Sequence, residues 1–183
     1  MSYKKIAFSL LILTGLNYGC NHSDPKVIAR IDSVLVVLDS TTKMAASIDF
    51  EKEEETAKKI EADLEFIQTN FKDTLDMTTA ALLKDYKAIN AEEDEEGKGN
   101  ENYALMLKKE LDFTKQQLLN LKHDFEKTDI KPEEFEKYFA TESTTVGKLS
   151  AFVAHKRAEF FQKEKQFNAV QPKVQEFIES IKK

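Results

Sequence analysis

Several features are scarce in this chain of 183 residues, which has one cysteine, no tryptophan, three prolines and five glycines. A single thiol cannot close an internal disulfide or build a multi-cysteine metal site. Scarce glycine and proline, together with 33 % charged residues, are typical of long amphipathic helices rather than of sheets. Apolar residues still make up 41 % of the chain, and their periodic recurrence disfavours disorder.

Motifs for catalysis and cofactor binding are missing as well. The three histidines stand far apart and match no metal-binding spacing: His22, His123 and His155. No Gly-x-Ser-x-Gly elbow occurs, and the acidic run at 92–96 lacks the alternating ligands of a calcium loop. The glycines that follow this run, Gly97 and Gly99, sit among charges that would repel a phosphate. We therefore expect no catalytic residue, no metal site, no cofactor and no enzymatic activity.

Net charge argues against one class of partner. The chain carries a formal charge of −6, which becomes −8 if the leader that contains Lys4 and Lys5 is removed. An acidic domain is a poor ligand for a phosphate backbone, so nucleic-acid binding is not expected.

The first twenty residues have the layout of an export signal. Lys4 and Lys5 precede an apolar run at 6–16, and Asn17, Tyr18 and Gly19 lead to Cys20. A charged start followed by such a run is typical of a secretory signal peptide. Eleven residues of helix span about 16 Å, well short of the roughly 30 Å hydrocarbon core, so a permanent transmembrane helix is disfavoured.

At Gly19-Cys20 the leader resembles bacterial lipoprotein signals, in which a small residue precedes a cysteine that receives lipid and becomes the mature N-terminus. The usual pattern has an aliphatic residue three places before the cysteine and a small residue two places before it. Here Asn17 and Tyr18 occupy those places, which is similar to the relaxed motifs common in Bacteroidota. The resemblance implies lipidation of Cys20. An ordinary secretory signal and an uncleaved N-terminal anchor are the alternatives.

The resemblance also implies a division of the chain and a location. Residues 1–19 form the signal peptide, 20–25 the lipidated N-terminus with a short spacer, and 26–183 a helical domain. Several acyl chains would hold the domain stably at the bilayer, because each buried methylene adds about 0.8 kcal/mol. We expect a lipid-anchored protein of the bacterial cell envelope, attached to the outer membrane on its periplasmic or surface face.

Four segments of the domain have helical periodicity. They are predicted at Pro25–Ser47, from Phe50 to about Asn90, at Asn102–Lys127 and from Pro132 to Lys182, with a loop at 91–101. Asp24 and Asp49 are predicted as caps of the first two. A break at 141–147 and a kink before Pro172 are expected in the last. The sequence thus predicts an all-α fold, an elongated antiparallel bundle of about four helices with coiled-coil-like packing.

The last predicted helix carries a long apolar stripe. Seven apolar residues follow one another at a spacing of seven: Phe139, Val146, Val153, Phe160, Phe167, Val174 and Ile181. The third helix, at about 39 Å, covers only about half of the roughly 75 Å fourth helix. The uncovered end is therefore a possible interaction surface, formed by Phe167, Val170, Val174, Phe177 and Ile181. Two occupants are possible: the first or second helix of the same chain, or a partner protein or second copy. Phe152 and Phe161, which lie off the main series, are candidates for contacts outside the bundle.

These observations favour a non-catalytic scaffold, spacer or accessory subunit that contacts another protein or itself. Its plan is similar to that of charged helical rods among bacterial lipoproteins. A periplasmic holdase-type chaperone is one alternative, although holdase arms are usually basic and their owners untethered. A protein that binds an apolar ligand is the other, and it requires a sizeable interior pocket.

Overall fold

A computed structural model describes residues 24–90, 100–127 and 130–183. Five helices occupy most of this part of the chain, and no strand occurs in it: α1 Pro25–Ala45, α2 Phe50–Asn70, α3 Met77–Ala88, α4 Asn100–Lys127 and α5 Pro132–Ile181. The predicted all-α architecture is confirmed.

Both predicted aspartate caps are confirmed. The Asp24 carboxylate accepts a hydrogen bond from the backbone N–H of Lys26 at 2.9 Å, and Pro25 occupies the first turn of α1. The Asp49 carboxylate accepts from the N–H of Lys52, also at 2.9 Å. Each cap satisfies a donor that the first turn of a helix otherwise leaves unpaired.

The prediction of one continuous second helix is wrong. Helix α2 ends at Asn70, Phe71 is extended, and α3 begins only after Asp76. The Asp76 carboxylate accepts from the backbone N–H groups of Thr78 and Thr79 at 2.8 and 2.9 Å, so it caps a new helix. The apolar spacing nevertheless continues across the turn, and these apolar residues lie in one core: Ile60, Leu64, Ile67, Phe71, Leu82, Tyr86 and Ile89.

The predicted break in the last helix is also wrong, because α5 runs without interruption from Pro132 to Ile181 and passes through Pro172. Threonine hydroxyls at 141–145 donate to the carbonyl four residues earlier, which keeps these side chains from competing for other backbone partners. Val146, which is 2 % exposed, holds this segment in the core. A Cβ added at Gly147 would meet nothing within 4 Å, so packing does not require the glycine.

Cross-helix contacts define the direction of each helix. Arg30 of α1 contacts Glu136 of α5, and Ser47 just after α1 contacts Arg157, so α1 runs parallel to α5. Asp63 of α2 contacts Gln175, so α2 continues in that direction. Helix α4 runs the opposite way, since Asp32 and Asp39 of α1 contact Lys122 and Lys115 of α4 respectively. Helix α3 also runs the opposite way, because Phe71, which precedes it, contacts Phe177 of α5, and Tyr86, near its end, contacts Phe167.

The helices therefore form three columns arranged up, down and up. The first column is α1 followed by α2, the second is α3 followed by α4, and the third is α5 alone. At 1.5 Å per residue, the 50 residues of α5 extend about 75 Å. Consecutive columns are antiparallel as predicted, and the first and third are necessarily parallel.

Two separate cores fill the rod. The first core joins α1, α4 and the first half of α5 around Ile31, Leu38, Leu111, Leu118, Val146 and Val153. The second core joins α2, α3 and the second half of α5 around Ile60, Ile67, Tyr86, Ile89, Val174 and Ile178. The two cores share no buried residue, so α5 is the spine on which both are built.

Candidate interaction surface

Helix α4 has apolar residues on its outer side as well as in the core. Its inner face follows two series of residues spaced by seven in the sequence, one through Leu111, Leu118 and Phe125 and one through Leu107, Thr114 and Leu121, and all six residues are buried. Four further large apolar side chains point outward: Leu105 is 50 % exposed, Met106 61 %, Phe113 59 % and Leu119 41 %. We call these four residues the outer α4 surface. A helix on the outside of a bundle usually has a polar outer face, so this arrangement is unusual.

The outer α4 surface consists of two rows. Met106 and Phe113 are seven residues apart and so share one face of the helix. Met106 lies one turn from Tyr103, whose ring centroid is 6.0 Å from that of Phe152 of α5, so this row lies on the α5 side. Leu105 and Leu119 form the second row, which lies on the α1 side.

Polar residues also lie on the outer side of α4 and are paired along the helix. Asp112 is in the same row as Leu105 and Leu119, since it is seven residues from each, whereas Gln116 and Asn120 lie between the rows. The Lys108 ammonium group lies 2.6 Å from the Asp112 carboxylate, and the Gln116 amide donates to Asn120 at 2.8 Å. Both pairs are four residues apart, the spacing at which helical side chains meet. The four exposed apolar residues thus lie beside two polar pairs within the helix, and an apolar face of another protein can contact them without breaking either pair.

Two aromatic residues that were predicted to lie outside the core are exposed. Phe152 is 36 % exposed, and its ring borders the α5 side of the outer α4 surface through Tyr103. Phe161 is 41 % exposed, with the Arg157 guanidinium 4.9 Å from its ring centroid. A cation over a ring face is favourable, so Phe161 already has a partner for one face.

The stripe at the end of α5 is not a free surface. Val174 is fully buried, and Phe167, Val170, Phe177 and Ile181 pack against the second core as partly buried side chains. Helices α2 and α3 cover the stripe, so the occupant comes from the same chain. Of the two occupants predicted for the stripe, the contacts within this chain match the first, and four of the five residues are only partly buried. As inferred from its length, α4 covers only about half of α5. The first column, α1 followed by α2, also lies beside α5.

The other candidate residues from the sequence do not form a site in the part of the chain that the structure describes. Cys20, His22 and the acidic run at 92–96 lie outside the described residues. His155 is 71 % exposed and lies 2.9 Å from Glu159, as expected of a solvated helix residue, and His123 is exposed too. In the described part of the chain, no group of three or more histidine, cysteine, aspartate or glutamate residues is placed to hold a metal ion.

An interior cavity lies between α2, the end of α3 and α5. Its floor is apolar and includes Ile60, Ile89, Phe160 and Phe167, and its rim holds two ion pairs between α2 and α5, Lys52 with Glu164 and Glu53 with Lys163. Its volume is about 60 Å³. Pockets for small-molecule ligands usually measure about 300–1,000 Å³, so this cavity is a packing gap of a few waters' volume rather than a ligand site.

The outer α4 surface was not predicted from the sequence. The available signal was the set of apolar residues in the third helix that belong to neither seven-residue series, because such residues must face outward in a bundle. None of the described helices combines the length and the apolar character that crossing a membrane would require. Comparison of the chain with models of known protein families, with curated proteins and with solved structures gave no match.

Proposed function

We propose that this chain is a lipid-anchored, non-catalytic protein of the bacterial cell envelope that acts by contact with another protein. Its anchor is Cys20, and its contact surface is the outer α4 surface. The observation that carries the second part is the exposure of four large apolar side chains on one helix, Leu105, Met106, Phe113 and Leu119, which is more than any other described helix exposes. In this proposal the rod holds the surface at a distance from the bilayer.

Energetics favour covering the outer α4 surface. Burial of a large apolar side chain contributes roughly 1.5–3 kcal/mol, so four half-exposed residues leave several kcal/mol available to a partner. Scattered single apolar residues would need no explanation, whereas residues grouped on one helix mark an interaction site. The paired polar groups beside them, such as Lys108 with Asp112, need not be broken when a partner binds.

One alternative is favoured by the same surface. A holdase-type chaperone also presents exposed apolar side chains, which bind unfolded clients without a fixed register. The two functions differ in selectivity, since a scaffold retains one partner at fixed stoichiometry and a holdase suppresses the aggregation of unrelated unfolded proteins. Ligand binding has less support, because the cavity between α2, α3 and α5 measures only about 60 Å³ and the larger clefts, of about 400 and 710 Å³, are more open to solvent.

The anchor predicts a chemical modification. Metabolic labelling with an alkyne fatty acid is expected to mark the wild-type chain and to leave Cys20→Ser unmarked, because Cys20 is the only thiol in the sequence. The labelled chain is expected in the membrane fraction. Label retained by Cys20→Ser would remove the anchor from the proposal.

The contact surface predicts a loss of partner binding without a loss of fold. In a crosslinking pull-down from native membranes, Met106→Glu combined with Phe113→Glu is expected to abolish the crosslinked partner seen with the wild type. A matched control replaces an exposed methionine and phenylalanine elsewhere, Met77→Glu with Phe161→Glu, at 91 % and 41 % exposure. The control should keep the partner.

Two outcomes would redirect this proposal. Equal recovery of the partner by both double variants would exclude the outer α4 surface as the contact. A wild type that prevents aggregation of several unrelated unfolded proteins, with the activity lost in the α4 variant, would instead support the holdase alternative.

A further inference from the structure

The antiparallel pair of helices α4 and α5 has a covered side and an exposed side. Helix α1 packs against both helices on the covered side. On the exposed side, α5 contributes Tyr138, which is 53 % exposed, and Phe152, which is 36 % exposed. Phe152 lies towards α4 because its ring meets that of Tyr103. Tyr138 shares this side of α5, because it lies about four turns before Phe152.

Helix α4 continues the same apolar side. Met106 and Phe113, the row of the outer α4 surface on the α5 side, are 61 % and 59 % exposed. With Tyr138 and Phe152 they follow the line along which the two helices meet, and we call these four residues the α4–α5 strip. Aromatic residues and methionine are enriched at protein interfaces. A further helix laid along the strip would complete a four-helix bundle with α1, α4 and α5.

Two carboxylates lie along the α4–α5 strip. Glu110 follows Tyr103 by seven residues, so it lies on the α5 side of α4. Glu142 follows Phe135 by seven residues and shares its side of α5, where the Phe135 ring lies 4.9 Å from the Phe125 ring of α4. Within the described part of the chain, neither carboxylate takes part in an ion pair or a side-chain hydrogen bond.

Glu142 is the carboxylate that gains most from a cation. Its side chain is partly buried, and burial raises the pKa of its carboxyl above the ordinary value of 4.5. Burial disfavours a charge without a partner, so a cation beside Glu142 would add a charge-assisted hydrogen bond. This chain does not supply that cation from the two exposed lysines beside the strip, since Lys109 and Lys148 make no ion pair with Glu142.

We propose that the partner of the outer α4 surface docks as an amphipathic helix along the α4–α5 strip, and that its apolar face carries one arginine or lysine that pairs with Glu142 or Glu110. This inference rests on the proposed contact surface and adds the chemistry of its partner. A second copy docked through the same strip would bring carboxylates together without a cation, and an anionic lipid surface would meet the same repulsion. Both occupants are therefore disfavoured.

Three synthetic helical peptides test the chemistry of the partner. They share one stripe of leucines and differ at a single position within it, which is arginine, glutamine or glutamate. The full chain is held in phosphatidylcholine nanodiscs, fluorescence anisotropy measures binding, and empty nanodiscs report binding to lipid alone. The arginine peptide is expected to bind about tenfold more tightly than the glutamine peptide, because close charge pairs at interfaces contribute this much or more. The glutamate peptide should bind most weakly.

Removal of the two carboxylates should remove this preference. Glu110→Gln with Glu142→Gln keeps the size of both side chains, and it is expected to reduce the preference for arginine over glutamine to about twofold or less. The matched control, Glu55→Gln with Glu176→Gln, removes two carboxylates at exposed positions in the second half of the rod. The control should keep the tenfold preference. An equal loss in both double variants would mean attraction to the acidic chain as a whole and would overturn the inference.

Removal of the apolar row separates this inference from the contact surface on which it rests. Met106→Ala with Phe113→Ala is expected to weaken all three peptides by about tenfold or more, because each truncation removes a large apolar contact. If the pull-down shows that the outer α4 surface binds the partner, but the three peptides bind alike or not at all, the basic helix is wrong and the contact surface stands. If neither the peptides nor the native partner respond to changes at Met106 and Phe113, the contact surface itself is wrong. A dimer in sedimentation equilibrium that Met106→Ala with Phe113→Ala dissociates would identify a second copy as the occupant and overturn the inference.

Discussion

A glutamate at both Phe167 and Phe177 is expected to lower the free energy of unfolding by at least about 4 kcal/mol, because both rings pack in the second core. Phe167 stacks on Tyr86 with ring centroids 6.0 Å apart, and Phe177 meets Phe71 edge-on at 5.2 Å. Loss of a packed phenylalanine typically costs about 3–5 kcal/mol, and a carboxylate without a partner adds the cost of its desolvation. Because both rings are partly exposed, we expect the total loss in the free energy of unfolding to lie at the lower end of the summed range.

Urea unfolding, followed by circular dichroism at 222 nm as an indicator of helix, measures this loss. The matched control places the same two substitutions at exposed rings, Phe113→Glu with Phe161→Glu, at 59 % and 41 % exposure. The control is expected to change stability by less than about 1 kcal/mol, as surface substitutions usually do. If Phe167→Glu with Phe177→Glu kept wild-type stability but abolished an assembly, the stripe would be an interface between chains, and the placement of α2 and α3 against α5 would be wrong.

The sequence predicted the helices better than their connections. The series of seven from Phe139 to Ile181 gave the inner face of α5 correctly, because burial forces a period that single substitutions do not hide. The break between α2 and α3 was missed because Leu75 and Leu82 continue the apolar spacing of α2 through the turn. The local signal against a continuous helix was Asp76 with threonines two and three residues later, a strong cap that periodicity outweighed.

At residues 141–147 the composition led to the opposite error, because it predicted a break where the helix is continuous. Threonine and glycine lower helix propensity by less than about 1 kcal/mol each, and packing of Val146 outweighs that cost.

The interaction stripe on α5 was assigned for a geometric reason. Two helices that follow each other in one column, α1 and α2, cover the whole length of α5, and helix lengths alone do not reveal this end-to-end arrangement. Lipidation of Cys20 stays a prediction.

The second core contains one polar cluster that joins three helices. The Asp63 carboxylate of α2 accepts hydrogen bonds from the Tyr86 hydroxyl and the Gln175 amide, each at 2.8 Å, and lies 3.3 Å from the Lys59 ammonium group. Tyr86 is fully buried. The apolar spacing of the sequence assigns Tyr86 to a buried face but does not indicate this partner, which is 23 residues away on a different helix. A satisfied polar group in a core fixes the register of the helices that share it.

Asp63→Leu is expected to lower the free energy of unfolding by about 2–4 kcal/mol, because it leaves the buried Tyr86 hydroxyl and the Gln175 amide without their acceptor. Tyr86→Phe alone should cost less, about 1–2 kcal/mol, since it removes the hydroxyl together with its need for a partner. In the double variant, Tyr86→Phe should recover part of the loss caused by Asp63→Leu. Strictly additive losses in this cycle would show that the hydroxyl and the carboxylate do not interact.

The same contact predicts a change of stability with alkaline pH. Burial, followed by the hydrogen bond to Asp63 and its negative charge, raises the pKa of Tyr86 well above the ordinary value of 10.0. The folded chain therefore holds the phenol proton more tightly than the unfolded chain does. Stability from this group is fully present below pH 10.0 and is lost as the pH rises above it, by up to about 1.4 kcal/mol per pH unit.

Burial also raises the pKa of Tyr103, so some alkaline loss is expected in every variant. The free energy of unfolding, measured by urea titration between about pH 8 and pH 11, should fall less steeply for Tyr86→Phe than for the wild type. Equal slopes would mean that the Tyr86 hydroxyl ionises as readily in the folded chain as in the unfolded one, which is incompatible with its position against Asp63.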